Sequence, residues 1–284
     1  MKLEDIISLA RVRQWYKNLV VFLAIFFSGG LVQVNLLATI ITAFISLCLI
    51  SSAGYIINDI LDVKNDRENP EKRKRPLASG RIKKGLALFL MIILVAGGFI
   101  IAETITIFFL YSTFFLFLAT LLYTFVLKKI IFADVLSIAV LFVLRAVAGA
   151  LAIKAVISPW LILGPFFLSL FLSVGKRHAE LSLLKEKSQR SREVLKDYNF
   201  SLTTSLMIIS TTLLIISYAL YSFLSEYNYL IYTIPFALFV IFRFYYLIQQ
   251  GSFIARHPEA VIQDLPMVIG MGLLVMATVM IIYG

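Results

Sequence analysis

The sequence predicts an all-α polytopic membrane protein with nine transmembrane helices. Of its 284 residues, 61% are hydrophobic and only 15% are charged, which is not the composition of a water-soluble globular protein. Apolar runs of about 20 residues, the length that a membrane span needs, recur along the chain between short polar clusters. Both faces of each run are apolar, whereas the strands of a membrane barrel alternate polar and apolar residues.

The nine runs define the elements in chain order. The spans are predicted at about 18–34, 36–62, 84–102, 104–127, 132–153, 158–177, 203–223, 228–248 and 265–283. We expect one domain over residues 1–284. Its first 16 residues or so are expected to form an amphipathic helix on the membrane surface, because apolar Ile6, Ile7 and Leu9 lie beside Arg11 and Arg13.

The cationic residues predict the orientation. With these spans, 24 of the 26 Lys and Arg residues fall on the side of the amino terminus, and short cytoplasmic loops are the ones that retain Lys and Arg. We therefore expect a protein of the cell (inner) membrane with a cytoplasmic amino terminus and a carboxyl terminus on the opposite side. The net charge of +10 is then explained by topology and requires no nucleic acid.

A group of acidic residues follows the second predicted span. Asp59, Asp62 and Asp66 are spaced three and four residues apart, so they share one helix face, with Asn58 one turn before Asp62. Carboxylates this close repel one another, and Mg²⁺ together with the phosphate oxygens of a substrate would neutralise them. The alternative is a solvated face on which they pair with the cations of the following segment, which are Lys64, Arg67, Lys72, Arg73, Lys74 and Arg75.

An NDxxDxxxD motif at residues 58–66 is followed by RPL at 75–77 and a glycine at 80. In a basic-inside chain with nine spans, this pattern resembles the UbiA family of intramembrane prenyltransferases. The resemblance implies nine helices around a central cavity, with Mg²⁺ held by Asp59, Asp62 and Asp66 and a diphosphate bound at the cytoplasmic end. These three residues and Asn58 would be the catalytic residues.

The chain departs from most of that family after the sixth predicted span. A second aspartate-rich motif is expected there, but the sequence reads SVGKRHAELSLLKEK, with Lys176, Arg177 and Glu180. Lysine and arginine bind phosphate directly and need no metal. This pattern resembles a branch of the family, the decaprenyl-phosphate phosphoribosyltransferases of the cell envelope. The segments that carry the resemblance are RVRQWYKN (11–18), NDILDVKNDRENPEKRKRPLASG (58–80), YTFVLKKIIFADVLSIAVLFVLRAVAG (123–149), SPWLILGPFFLSLFLSVGKRHAE (158–180) and HPEAVIQDLP (257–266).

That branch implies transfer of 5-phosphoribose from 5-phosphoribosyl 1-pyrophosphate to a polyprenyl phosphate, in cell wall biogenesis. Asp134 and Arg145 lie three helical turns apart, so they are expected to face the cavity together or to form a structural pair. The predicted substrate-binding residues are Lys17, Arg73, Arg75, Tyr123, Lys128, Asp134, Arg145, Lys176, Arg177 and Glu180.

Two other functions fit parts of the pattern. An ordinary prenyltransferase would use a prenyl diphosphate and a lipophilic acceptor, but it would be expected to carry the second aspartate-rich motif. A transporter of anionic lipids would have ionisable residues near the middle of the membrane, whereas here the charges gather at one face. The membrane lipid and a second copy of the chain, in a homo-oligomer, are further expected partners.

Overall fold

The structure is a computed structural model that describes residues 3–69, 72–186 and 193–284. Residues 1, 2, 70, 71 and 187 of the segments discussed above lie outside this part. No β-strand occurs in the described residues, which confirms the all-α prediction. The α-helices are α1 (Leu3–Leu9), α2 (Leu23–Phe27), α3 (Val34–Glu68), α4 (Lys84–Glu103), α5 (Ile107–Phe125), α6 (Ala133–Ala152), α7 (Pro159–Glu186), α8 (Phe200–Leu224), α9 (Ile234–Gln249), α10 (Phe253–Arg256) and α11 (Leu265–Tyr283).

Eight helices in the described residues are long and apolar enough to cross a membrane, and they mark the chain as an integral membrane protein. The last predicted span, 265–283, coincides with α11. The first one, 18–34, is not a single helix. It consists of a 3₁₀-helix (Val12–Phe22), α2 and a second 3₁₀-helix (Gly30–Val32). The count of nine is therefore not confirmed.

Two local features explain the broken first span. Gly29 has φ 69°, a left-handed conformation that ends α2 without steric cost. A 3₁₀-helix rises about 2 Å per residue, so residues 12–27 extend over about 30 Å with fewer residues than an α-helix would need. A ninth span in this segment stays a prediction.

The amino-terminal helix is shorter than expected. It covers Leu3–Leu9, and Arg11 has φ 49° and ψ 47°, which is the left-handed region and ends any continuation to residue 16. Asp5 and Leu9 are buried, so part of this helix packs against the protein. Its position on the membrane surface stays a prediction.

Contacts between residues divide the chain into two compact units. Of the described residues, the first unit contains 3–69, 72–130 and 141–157, and the second contains 131–140, 158–186 and 193–284. Apolar clusters in the first unit include Val21, Ile40, Leu47 and Phe109. The core of the second unit includes Phe171, Met207 and Phe244. A single domain over residues 1–284 stays a prediction.

Candidate active site

One face of α3 carries a row of polar side chains along an otherwise apolar helix. Its members repeat every three or four residues, which places them on one side of the helix. They are Cys48, Ser52, Tyr55, Asp59, Asp62 and Asp66. We call this row the α3 polar face. All its contacts described below lie within the first unit.

The outer carboxylates share one cation. Asp59 and Asp66 are almost fully buried. The Nη1 atom of Arg75 donates to Asp59 Oδ1 at 3.0 Å and to Asp66 Oδ2 at 2.7 Å. Arg11 also donates to both oxygens of Asp59. Burial of the Arg75 guanidinium, followed by the nearby charge of Arg11, lowers the pKa of Arg75 from its ordinary value, while the two carboxylates oppose this shift.

The middle carboxylate has a different partner. Lys128 Nζ donates to both oxygens of Asp62, at 2.8 and 2.9 Å, and to Asn58 Oδ1 at 2.9 Å. Three carboxylates therefore meet three cations, Arg11, Arg75 and Lys128. Because each buried charge has a partner, the face is electrically balanced as it stands.

In this structure the three carboxylates are neutralised by Arg11, Arg75 and Lys128. Of the six cations in the alternative prediction, Arg75 binds Asp59 and Asp66. Arg67 instead donates to the Ala78 carbonyl at 3.0 Å. In the described part of the chain, no three His, Cys, Asp or Glu side chains are grouped to hold a metal ion.

The chemistry of the site nevertheless suits Mg²⁺. Its donors are carboxylate oxygens, which Mg²⁺ prefers. Asp59 and Asp66 already enclose a single cationic nitrogen of Arg75. A metal ion between them would therefore take the place of that nitrogen, so the residues fit the ion if Arg75 moves.

A second polar cluster lies around Arg145 in α6. Its Nε donates to Asn18 Oδ1 at 2.7 Å, and its Nη1 donates to the Leu141 carbonyl at 2.8 Å. Asn18 in turn donates to Cys48 Sγ at 3.2 Å and accepts from Ser51 Oγ, also at 3.2 Å. Asp134 is not among the partners of Arg145, so the predicted structural pair is not formed.

Close backbone packing holds Asn18 in this position. A Cβ at Gly149 would stand only 2.1 Å from the Val21 carbonyl oxygen. Gly149 is one turn after Arg145, and Val21 is three residues after Asn18. The glycine therefore lets the 3₁₀-helix approach α6 closely enough for the hydrogen bond between Asn18 and Arg145.

Asp134 has its partners in the second unit. Arg177 Nε donates to Asp134 Oδ2 at 2.8 Å, and Tyr198 donates to Asp134 Oδ1 at 2.7 Å. The Nη1 of Arg177 also binds Glu180 Oε2 at 2.8 Å. Burial, and then the hydrogen bond to Asp134, raises the pKa of Tyr198. Arg177 is thus buried between two carboxylates, and its contact with phosphate stays a prediction.

The remaining predicted residues occupy varied positions. Lys17 Nζ lies 5.8 Å from the centre of the Tyr55 ring. Tyr123 packs against an apolar cluster of the first unit, and Arg73 is exposed. Lys176 is half-buried in α7.

In the second unit, an apolar cavity of about 480 Å³ between α9 and α11 has no charged lining residue, so it cannot supply an anion site.

Sequence reasoning missed four residues at these clusters. The sequence predicts a surface helix for Arg11, and it predicts no role for Asn18, Tyr55 or Tyr198. A signal did exist for Tyr55, because it stands four residues before Asp59 on the same helix face. The partners of Arg11 and Tyr198 are 48 and 64 residues away, and no local pattern reveals such contacts.

Comparison with known proteins agrees with this fold. A model of the UbiA prenyltransferase family matches residues 18–253. The decaprenyl-phosphate phosphoribosyltransferase of Mycolicibacterium smegmatis is 32% identical over 222 residues, which are 77% of this chain and 70% of that protein. The protein of the same name from Corynebacterium glutamicum is 31% identical over 227 residues, 78% of this chain and 68% of that protein.

A solved structure shows the same architecture. The structure of a UbiA homolog from Archaeoglobus fulgidus bound to GPP and Mg²⁺ has a TM-score of 0.71. It is 17% identical to this chain, and the comparison covers 95% of this chain and 99% of the other. The extent of the sequence match confirms the resemblance seen in the motif: this chain belongs to the UbiA prenyltransferase family.

Proposed function

We propose that this protein transfers 5-phosphoribose from 5-phosphoribosyl 1-pyrophosphate to a polyprenyl phosphate and releases pyrophosphate. The observation that carries the proposal is the 32% identity, over 77% of the chain, to a protein named decaprenyl-phosphate phosphoribosyltransferase. The charge pattern supports it, because Lys176 and Arg177 stand where a second aspartate-rich motif would be expected.

The donor's pyrophosphate is assigned to the carboxylate end of the α3 polar face. Asp59, Asp62 and Asp66 would hold Mg²⁺, with Asn58 in support. When bound, the ion neutralises charge on the pyrophosphate and makes it a better leaving group. The site needs this help because its own carboxylates would otherwise repel the polyanion.

The three paired cations would then change partners. Once the carboxylates bind the metal, the side chains of Arg11, Arg75 and Lys128 are available to phosphate oxygens. Arginine suits this role because its planar guanidinium binds phosphate with two parallel hydrogen bonds. The same three cations therefore balance the carboxylates in the free protein and the phosphates in the complex.

The chemical step exchanges one carbon–oxygen bond for another. An oxygen of the polyprenyl phosphate bonds to the anomeric carbon of the ribose, and the bond from that carbon to the pyrophosphate oxygen breaks with both electrons going to the pyrophosphate. Attack from the opposite face inverts the configuration. The acceptor is already an anion, so the chain needs no strong general base.

The membrane arrangement is part of the proposal. The cations on the amino-terminal side favour a cytoplasmic site in the cell membrane, where a water-soluble donor is available. A homo-oligomer is compatible with this arrangement. The substrate-binding roles of Arg73, Tyr123, Asp134, Lys176, Arg177 and Glu180 are further expectations of the same proposal.

The test measures transfer by the purified protein in nanodiscs. Labelled 5-phosphoribosyl 1-pyrophosphate, decaprenyl phosphate and Mg²⁺ should yield labelled lipid, and a chelator should stop the reaction. Asp59→Asn and Asp62→Asn should each abolish transfer. Asp197→Asn is the matched control, because Asp197 is exposed and has no part in the site. Its transfer should equal that of the wild type.

The prenyltransferase alternative is tested in the same preparation. A prenyl diphosphate should neither serve as a donor nor compete with 5-phosphoribosyl 1-pyrophosphate. If the protein consumes the prenyl diphosphate and leaves the ribosyl donor untouched, the proposed reaction is wrong.

A further inference from the structure

The α3 polar face continues past the carboxylates towards the apolar body of the helix. Tyr55 is four residues before Asp59, a distance of about 6 Å along the helix axis. Cys48 is eleven residues before Asp59, or about 16 Å. Nothing in the proposed donor site uses this part of the face.

Arg145 brings a positive charge to this region, and no carboxylate in the described part of the chain balances it. Its side chain is 5% exposed. Its hydrogen-bond acceptors are the amide oxygen of Asn18 and the backbone oxygen of Leu141, and both are neutral. Among residues 3–69, 72–186 and 193–284 it forms no ion pair with a carboxylate. Burial of an unpaired charge is costly, and such residues in a membrane protein mark functional sites.

Other cations gather at the same place. Arg145 and Ser51 both donate to Asn18 Oδ1, and Ser51 stands four residues before Tyr55 in α3. The guanidinium carbon of Arg11 lies 5.1 Å from the centre of the Tyr55 ring, and Lys17 Nζ lies 5.8 Å from it. Two positive side chains therefore lie at the Tyr55 ring, about one helical turn from the polar network that contains Arg145.

We propose that Arg145 and Lys17 form a binding site for a phosphate monoester beside Tyr55. On the basis of the proposed function, its ligand is the phosphate group of the polyprenyl acceptor. The positions agree with the reaction. In an attack geometry the reacting oxygen stands about 3 to 3.5 Å from the carbon. Tyr55 and Asp59 are about 6 Å apart along the helix axis, so groups bound beside each of them can have the ribose carbon between them.

The location favours a phosphate that is carried by a lipid. Free phosphate would have to leave water to reach a buried arginine that lies towards the middle of α6. A lipid phosphate is held near the membrane by its chain, because the CH₂ groups of the chain are more stable in the apolar phase than in water. The deeper site thus suits the lipid, and the outer site suits the soluble donor.

The test compares Arg145→Gln with the wild type in binding assays that need no turnover. Thermal shift and direct titration in detergent would use decaprenyl phosphate, decaprenol, inorganic phosphate, and pyrophosphate with Mg²⁺. A charge-assisted hydrogen bond contributes about 1.5 to 3 kcal/mol, so the variant should bind decaprenyl phosphate about 10- to 100-fold more weakly. Its binding of pyrophosphate with Mg²⁺ should be unchanged. Lys154→Gln removes one charge from an exposed loop position and is the matched control.

The stability of the same variant separates ligand binding from a structural role. If Arg145 serves the ligand, Arg145→Gln should unfold at the same temperature as the wild type or higher without ligand, because an unbalanced buried charge has been removed. If it serves only the fold, the variant should be less stable and should bind decaprenyl phosphate normally. Lys17→Gln tests the site without a change in the buried cluster, and should weaken lipid phosphate binding while pyrophosphate binding stays constant.

The outcomes also distinguish this inference from the proposed function. Weaker binding of decaprenyl phosphate by both variants supports the site, even if no ribosyl transfer is found. Normal binding of that lipid by both variants overturns the site, even if the wild type transfers phosphoribose. Equal binding of inorganic phosphate and decaprenyl phosphate to the wild type would overturn the assignment to a lipid-borne ligand.

Discussion

The contact between Gly149 and Val21 predicts a large effect from a single methyl group. In Gly149→Ala the new Cβ would stand 2.1 Å from the Val21 carbonyl oxygen, whereas ordinary contacts begin at 3.4 Å. The two segments must therefore separate by about 1.3 Å. The distance from Arg145 Nε to Asn18 Oδ1, now 2.7 Å, would increase to about 4 Å, which is beyond hydrogen-bond range.

Two costs follow from this separation. Overpacking destabilises a core by about 1 to 3 kcal/mol, and the lost hydrogen bond to a charged group adds about 1.5 to 3 kcal/mol. A loss of about 3 kcal/mol lowers the unfolding temperature of a protein of this size by about 6 to 12 °C. The displaced Asn18 should also leave Arg145 misplaced, so the KM for the lipid acceptor should rise.

Gly164→Ala provides the matched control. Gly164 also lies within an α-helix, but nothing is within 4 Å of its Cβ position. Both substitutions raise helix propensity by about 1 kcal/mol, so any difference between them reports on the contact. Thermal unfolding in detergent and acceptor titration measure that difference. If Gly149→Ala unfolds together with Gly164→Ala and binds acceptor equally well, the close approach is not what positions Asn18.

Three further predictions concern the ion pairs. Arg75→Gln should destabilise the metal-free protein by about 3 to 5 kcal/mol, because Asp59 and Asp66 are buried. Mg²⁺ with pyrophosphate should recover much of this loss in thermal unfolding, and an equal loss in both conditions would contradict the exchange of partners. In the same assay, Asp134→Asn should lower the free energy of unfolding by about 3 to 5 kcal/mol, but Tyr198→Phe by only about 1 kcal/mol. Similar losses for the two variants would show that Arg177 is not the more important partner of Asp134. The hydrogen bond from Arg243 lowers the pKa of Asp264 below its ordinary 3.8, so this carboxylate stabilises the fold above pH 3.8 and its contribution is lost as the pH falls further. Asp264→Asn should therefore be less stable than the wild type at neutral pH and similar to it in strong acid, as measured by unfolding temperature against pH.

Hydrophobic runs and helical spacing predicted most of the architecture correctly. The span predicted at 84–102 is α4, Lys84–Glu103, and the shared face of Asp59, Asp62 and Asp66 is present in α3. These features depend on residues close in sequence. Hydropathy could not predict the 3₁₀-helix of the first span. An apolar composition is the same for an α-helix and a 3₁₀-helix, so it does not show how far the chain rises with each residue.

Contacts between distant segments were beyond the sequence argument. The local basic run suggested partners for the carboxylates, but Arg11 and Lys128 come from segments 48 and 66 residues away from their partners. Asp134 and Arg145 share a helix, and helical spacing placed them on one face. They nevertheless do not pair with each other, because Asn18 binds Arg145 and Arg177 binds Asp134.

The length of α3 has a consequence for the membrane in which the protein works. Its 35 residues extend about 52 Å, whereas the hydrocarbon layer of a bilayer is about 30 Å thick. The carboxylates near its end can therefore project past the acyl chains to the level of the lipid headgroups. A thicker or thinner bilayer would change the height of those headgroups relative to the carboxylates. We expect turnover in nanodiscs to pass through a maximum at one acyl-chain length.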